Sequence, residues 1–396
     1  MRSLVLLTTT VEHLYAATRL NQKLRRQYLL KASLSNHVSL QDSPVALIDR
    51  RGKYVEGREN LNIWRQWARN VAKSAVLEFH GAEKPSITCL YTEIDWLLED
   101  NMSDLPVQRS GESPSLSKDS NYAPKYPDNL GSCEVLLRLS LVELKIIWQR
   151  RLLERIPLQY LTNFVYWRDL SIIVTPAVLI PRPETELLID FALSAYEAFS
   201  SSIADGTAND LQRSPWLDLG TGSGALAIAL AKDIPKYYVH TTEPPDVKIY
   251  AVDISPEACA IAEHNSTRLG FSQNIKVFRG SWFEPLDGLK FSGILSNPPY
   301  IPSEQLHCLQ LEVRDHEPYL ALNGGFGVGA DSLLKICAGA EKHLLRGGFL
   351  ALETNGAEQA EFIKKILYSM SCFENIQVRS DHSGVQRFVT ATKCLR

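Results

Sequence analysis

Two rhythms of apolar residues divide this chain. In residues 61–79, "LNIWRQWARNVAKSAVLEF", Ile63, Trp64, Trp67, Val71, Ala72 and Ala75 return every three to four positions. That spacing predicts an α-helix with one apolar side. "YTEIDWLLED" at 91–100 keeps the rhythm, and "CEVLLRLSLVELKIIWQRRLLERI" at 133–156 repeats it strongly. Between them, 101–130 is rich in Ser, Pro, Asp and Asn and has almost nothing to bury. It reads as a disordered insertion or long loop. The pattern predicts an all-helical domain over 41–160, interrupted by that insertion. Its tryptophans are expected in the core, because aromatic side chains dominate burial.

"FVYWRDLSIIVT" at 164–175 alternates around a polar Arg168-Asp169 pair, so 161–180 reads as a β-hairpin linker. Beyond it the pattern becomes β-α-β. Predicted strands cover 215–219, 248–253, 275–279, 291–296, 348–353, 374–379 and 385–391. Predicted helices cover 184–199, 224–232, 256–269, 331–345 and 357–370. Such alternation implies an α/β domain over 181–396, a mostly parallel Rossmann-like sheet with helices on both faces. Only "DHSG" at 381–384 joins the last two strands. A parallel crossover needs about a dozen residues or more, so this pair is expected to be antiparallel, at the sheet edge.

Composition changes this picture little. The 396 residues are 45% hydrophobic and 22% charged, with a net charge of −3. They lack the basic excess of a nucleic-acid binder, and no stable nucleic-acid binding is expected. The seven cysteines are scattered, with no C-x-x-C pair, which reads as free thiols and not as a disulfide framework or zinc site. No apolar run approaches the roughly 18–20 residues of a membrane span. The N-terminus differs from the rest. Arg2, Arg19, Lys23, Arg25, Arg26 and Lys31 stand against one acid, Glu12, among several hydroxyl residues. Residues 1–40 are therefore expected to be a transit peptide for a mitochondrion or chloroplast, with the cytoplasm as the alternative.

Candidate chemistry lies in the α/β part. "WLDLGTGSGALAIALA" runs from a strand into a helix through Gly220, Gly222 and Gly224. Glycines there permit positive φ and close ligand approach, and the helix N-terminus offers free N–H groups. The next strand, "KIYAVDIS", ends in Asp253, where dinucleotide folds bond a ribose diol. NAD and S-adenosylmethionine both fit this frame. Asp218, just before the turn, would repel a pyrophosphate and suits a cationic ligand. A third stretch, "SNPPYIP" at 296–302, ends a strand with Asn297, Pro298, Pro299 and Tyr300. A rigid turn would explain the prolines but not the amide and the phenol.

"DLGTGSG", "AVDIS", "SNPPYIP" and "LIPRPETE" at 179–186, in this arrangement, resemble the HemK/PrmC family. These are protein glutamine N5-methyltransferases acting on peptide-chain release factors. The resemblance covers about residues 157–392 and looks most like plant organellar members. It implies a helical N-terminal domain, a hairpin linker and a seven-stranded class I S-adenosylmethionine-binding domain. It implies that Gly220, Thr221, Gly222, Ser223 and Gly224 line the methionine end of S-adenosylmethionine. Asp253 would take the ribose hydroxyls, Trp282 would flank the adenine, and Arg182, Glu184 and Thr185 would lie beside the cofactor. Asn297, Pro298, Pro299 and Tyr300 would hold the acceptor glutamine, with Asn297 also touching the cofactor and no metal involved.

Three features depart from the family pattern. Asn163 stands where a glycine is usual, "HEPYLALNGGFGVGADSL" at 316–333 is longer, and "TTEPPDV" at 241–247 lengthens the approach to the second strand. The tetrapeptide suits the implied chemistry. An amide nitrogen is a weak nucleophile, and hydrogen-bond acceptors alone can aim it. The Asn297 side-chain oxygen and the Pro298 carbonyl would each accept one N–H, while Tyr300 offers a flat face. The expected partner is a release factor, methylated on its Gly-Gly-Gln glutamine by a monomeric enzyme. The alternatives are a methyltransferase for adenine N6 or guanine N2, which needs a basic path to the nucleic-acid backbone, and a non-catalytic binding module.

Overall fold

The computed structural model describes residues 45–78, 85–104, 134–201, 207–237 and 247–395, and residues 44–396 form one compact unit. The expected transit peptide at 1–40 lies outside the described residues, as do residues 105–130 of the expected insertion. No described helix is long and apolar enough to cross a membrane.

The N-terminal part contains β1 (Tyr54–Gly57), α1 (Arg58–Glu78), α2 (Ile87–Asn101), β2 (Met102–Asp104), β3 (Glu134–Leu137), α3 (Leu141–Leu153) and α4 (Leu158–Thr162). It is not all-helical, because β1, β3 and β2 pair as a small antiparallel sheet. The stretch 133–156 was expected to be one helix. Ser140 and Glu143 form a reciprocal capping box that starts α3 at Leu141, which leaves "EVLL" outside the helix and free to pair. Residues 102–104, expected within the insertion, are likewise strand, paired with β3. In α1 the buried stripe is Leu61, Trp64, Ala68, Ala72 and Val76. Ile63 is 59% exposed, so the apolar face is turned slightly from the predicted one. Trp64 and Trp148 are buried, and each indole N–H donates to a backbone carbonyl, of Leu141 and Ala68. These two are core residues, as expected, whereas Trp96 of α2 is 42% exposed and departs from that expectation.

β4 (Phe164–Trp167) and β5 (Leu170–Ile173) form the predicted hairpin. The cross-strand pair Phe164 and Ile173 belongs to the core of the helical region, whereas Trp167 and Leu170 belong to the core under the large sheet. Asn163, just before it, has φ +62°. It takes the left-handed backbone that a glycine would take, which asparagine tolerates better than most residues.

Then follow α5 (Glu186–Ser201), α6 (Thr207–Arg213), β6 (Trp216–Leu219), α7 (Ala225–Asp233), β7 (Ile249–Asp253), α8 (Pro256–Arg268), β8 (Ile275–Arg279) and β9 (Phe291–Ser296). The chain ends with β10 (Ile301–Pro302), α9 (Leu311–Arg314), α10 (Tyr319–Leu322), β11 (Asn323–Gly325), α11 (Asp331–His343), β12 (Leu344–Glu353), α12 (Ala357–Ser369), β13 (Phe373–Ser380) and β14 (Gln386–Lys393). The seven-stranded sheet has the order β13-β14-β12-β9-β6-β7-β8. β8, β7, β6, β9 and β12 run parallel, and β14 is antiparallel to both β12 and β13. This is the class I methyltransferase fold. The chain leaves β6 toward β7 on one side and meets β9 on the other, so a switch point opens at the carboxyl end of β6. Ligands of open α/β sheets bind at such points.

Candidate active site

Strand register builds the site. Leu219 is paired with Val252 on one side and Ser296 on the other, and Ser296 is paired with Leu352. The next residue on each strand is therefore Gly220, Asp253, Asn297 or Glu353. Four chemically distinct groups leave one row of the sheet together.

The glycine turn is held from below. Gly220 and Thr221 donate their N–H groups to the Val252 carbonyl, at 2.8 and 3.0 Å. Gly220 has φ +73°, and a Cβ there would lie 3.7 Å from the Trp282 ring and 3.9 Å from the Asn297 carbonyl. The turn, Trp282 and the tetrapeptide thus converge on one point. Gly224, at φ +82°, has a second reason to be glycine. A Cβ there would come within 3.2 Å of Ala262, so its smallness lets α7 and α8 approach. The Ser223 side chain is buried, and its carbonyl accepts from Asn265 at 2.9 Å. The Thr221 hydroxyl donates to Asp218 at 2.6 Å.

Two carboxylates flank the turn. Asp253 accepts from the Gly222 N–H through Oδ2 and from the Ser255 N–H through Oδ1, both at 2.9 Å. Each oxygen keeps a lone pair for a hydroxyl. Burial raises its pKa against those N–H bonds. Asp218 is fully buried, and its Oδ2 takes the Thr221 hydroxyl and the Ala227 N–H. Its Oδ1 has no hydrogen-bond partner. Burial pushes this carboxyl up to about 7, with the Thr221 and Ala227 bonds opposing and the Asp253 charge adding. An orphaned buried carboxylate oxygen is costly and calls for a cation or donor.

The tetrapeptide is set by its neighbours. Asn297 Nδ2 donates to Thr185 Oγ1 at 3.0 Å. The Thr185 hydroxyl donates to Glu353 Oε2 at 2.7 Å, and the Tyr300 hydroxyl donates to Glu353 Oε1 at 3.0 Å. The Asn297 Oδ1 and the Pro298 carbonyl accept nothing among the described residues, although Pro298 is buried. Neither Pro298 nor Pro299 has an N–H to offer. The tetrapeptide thus presents acceptors and no backbone donor at its two prolines. Behind it, Gln359 Nε2 donates to the carbonyls of Tyr300, Val328 and Gly329 at 3.0, 2.6 and 3.0 Å. The long 316–333 segment is thereby clamped onto the tetrapeptide, with β11 paired to β10.

The sequence motif at 179–186 closes the third side. Arg182 pairs with the buried Glu317 at 2.6 Å, and its carbonyl accepts from Trp167 Nε1 at 2.8 Å. Glu184 acts on Glu353 only through its charge. The stretch "LETNGAEQ" at 352–359 carries no motif of its own. Glu353 and Gln359 there support Tyr300 and Asn297, and strand register with Ser296 was the signal that could have found Glu353.

Residues 212–335 match a family model described as a methyltransferase domain. The chain is 41% identical over 247 residues to a release factor glutamine methyltransferase of Gloeobacter violaceus, covering 62% of this chain and 78% of that protein. A protein of the same name from Synechocystis is 41% identical over 247 residues, covering 62% and 76%. One from Geobacter sulfurreducens is 34% identical over 301 residues, covering 75% and 87%. The chain belongs to the release factor glutamine methyltransferase family. As a member, it uses S-adenosylmethionine, and the site fits that molecule on structural grounds. The orphaned Asp218 Oδ1 suits an ammonium group, and Asp253 has lone pairs for hydroxyls. A Cβ on Gly222 would meet nothing within 4 Å, so that part of the turn faces open space.

Proposed function

We propose that this chain methylates the side-chain N5 of the Gly-Gly-Gln glutamine in a peptide-chain release factor, and that Asn297, Pro298 and Tyr300 hold the acceptor amide. One observation carries the reading: Asn297 turns its Nδ2 inward to Thr185, which leaves its Oδ1, and the carbonyl of the adjacent Pro298, without donors among the described residues. Two unoccupied acceptors on consecutive residues match the two N–H groups of a primary amide. Release factor glutamine is what the named relatives act on.

S-adenosylmethionine, when bound, supplies a methyl group on a positively charged sulfur. Gly220, Thr221, Gly222, Ser223 and Gly224 form the turn that would cradle it, with Asp218 suited to its ammonium group, Asp253 to its hydroxyls and Trp282 to its adenine. Asn297 Oδ1 and the Pro298 carbonyl orient the acceptor nitrogen and stabilise the positive charge that develops on it. Prolines on either side of that carbonyl keep competing donors away. The Tyr300 hydroxyl is tied to Glu353, so its ring presents a fixed flat face to the planar amide. Glu353 is shielded from the amide by Thr185 and Tyr300, and the proton leaves to solvent after transfer.

The finer readings follow the same line. The enzyme acts as a monomer, and it acts without stable nucleic-acid binding, the latter supported by the net charge of −3. It works in a mitochondrion or chloroplast, a reading supported by the basic, hydroxyl-rich start of the chain. Mass spectrometry of the Gly-Gly-Gln peptide tests the main proposal, after incubation of a recombinant organellar release factor with this protein and S-adenosylmethionine. One added methyl on that glutamine supports it. Transfer to RNA or DNA in the same assay, with none to the peptide, overturns it.

A further inference from the structure

We propose that Glu353 is a positioning residue for amide methylation, acting through Thr185 to fix which end of the Asn297 amide faces the acceptor. The proposal rests on the reading above. Its basis is proton counting. The Thr185 hydroxyl has one hydrogen, and Glu353 Oε2 accepts it at 2.7 Å. Only lone pairs then remain toward Asn297. The amide can satisfy them only with Nδ2, as it does at 3.0 Å, so Oδ1 must face the acceptor site. Without the carboxylate, Thr185 could donate to Asn297 instead. The amide would then be free to turn over and face the acceptor NH₂ with its own NH₂, a pairing of two donors.

The second oxygen of Glu353 fixes the tetrapeptide from its other end. Oε1 accepts the Tyr300 hydroxyl at 3.0 Å. One carboxylate thus sets both functional side chains, and it does so from β12, whose Leu352 is in register with Ser296 of β9. The row that delivers Asn297 also delivers its support.

The arrangement requires an ionised Glu353. Arg387 on β14 and Glu184 in the segment before α5 are the charges that face it, the first favouring ionisation and the second opposing it. Arg387 is itself paired with Asp381 at 2.7 Å, and Arg182, which faces Tyr300, with Glu317 at 2.6 Å. Burial pushes the Glu353 carboxyl up to about 7, with the Thr185 and Tyr300 bonds opposing. A protonated Glu353 carries a hydrogen of its own. One of its two hydroxyl contacts must then reverse: at Thr185 the direction imposed on Asn297 is lost, and at Tyr300 the hold on the ring is lost. Glu353→Gln brings N–H groups of its own at every pH, so one of the two contacts is always reversed.

The test compares full-length wild type with Glu353→Gln, Thr185→Val and Thr185→Ser. It measures kcat and KM on the release factor, the Kd for S-adenosylmethionine, and the pH profile of kcat. Thr185→Val and Glu353→Gln are expected to lower kcat about 100-fold, the scale of a misaligned reacting group. The Kd for S-adenosylmethionine stays within about threefold of wild type, because uniform binding is not what these residues supply. Thr185→Ser, which keeps the hydroxyl, restores most of the rate. Wild-type kcat rises with pH through about 7, and Glu353→Gln is flat over that range. If Glu353→Gln does not fold, Thr185→Val carries the test, since valine matches threonine in shape. A kcat within about threefold of wild type in Thr185→Val, or a rate that Thr185→Ser fails to rescue, overturns the proposal. A wild type that methylates no glutamine overturns the parent reading instead, and is seen before any variant is compared.

Discussion

At the scale of single residues, the site is a set of groups each assigned one hydrogen-bond direction. Asn297 presents an acceptor because its donor end is occupied by Thr185. Removing it should leave the glycine turn intact, since the turn is anchored on Val252 and Asp253. Asn297→Ala is therefore expected to lower kcat by about 100-fold or more while calorimetry finds S-adenosylmethionine binding largely kept, as for loss of a preorganised electrostatic contact. Survival of turnover would remove the acceptor role. Asp218 makes a different prediction. Its ligand-free pKa is raised by burial to about 7, above the ordinary value of about 3.9. A group shifted upward contributes stability below its unfolded pKa, and that contribution is lost as pH rises through the folded one. A bound cation holds the carboxylate ionised, so binding should release a proton near neutral pH. The affinity for S-adenosylmethionine should tighten as pH rises through about 7, and Asp218→Asn should bind more weakly with a flatter slope. Isothermal titration in buffers of different ionisation enthalpy reads both. An unchanged slope in Asp218→Asn would place the proton elsewhere.

Elements meet the site through charged ties that the sequence could not reveal. Arg151 in the last turn of α3 and Arg155 just beyond it both bond Glu312 of α9, at 2.9 and 2.6 Å, and Arg151 also bonds Glu93 of α2 at 2.7 Å. All four side chains are at most 15% exposed, so the cluster is buried and its desolvation is large. Burial alone would raise the pKa of Glu312, but the Arg155 bond and the two arginine charges hold it below the usual carboxylate range. Its contribution to stability is present above the unfolded pKa and is lost as pH falls through the folded one. Glu312→Ala leaves two arginines without their shared carboxylate. It should destabilise the protein by about 3–5 kcal/mol, the cost of breaking a buried pair from one side. Urea denaturation would measure this, and a loss under about 1 kcal/mol would mean that solvent screens the cluster as it does a surface pair. A periodicity argument finds α3 but not this contact, because Glu312 lies 161 residues beyond Arg151. The same limit hid β3. Its four residues look helical in a window that extends into α3, and only the Ser140 cap separates the two.

For the whole molecule, the parallel sheet was legible because each of its strands is a short apolar run between helices of clear period. The glycine turn, Asp253 and Asn297 were legible because each ends such a strand. Glu353 was not, because nothing in one strand tells which residue stands level with it on the next. The joint between the helical region and the sheet was also hidden, and it makes the last prediction. The hairpin β4-β5 puts Phe164 and Ile173 into one core and Trp167 and Leu170 into the other. Arg268 of α8 bonds both oxygens of Asp49, at 2.6 and 2.8 Å, and Asn265 ties Ile173 to Ser223 of the glycine turn. Loss of either core would strip the shared hairpin from the other. The two should therefore melt in one calorimetric transition with equal calorimetric and van't Hoff enthalpies. Because the turn is part of that unit, S-adenosylmethionine at 100 times its Kd should raise the whole transition, by about 2.7 kcal/mol of stability. Two transitions, of which only one moves with the cofactor, would show that the helical region folds independently of the catalytic sheet. The arginine ties would then serve orientation and not joint stability.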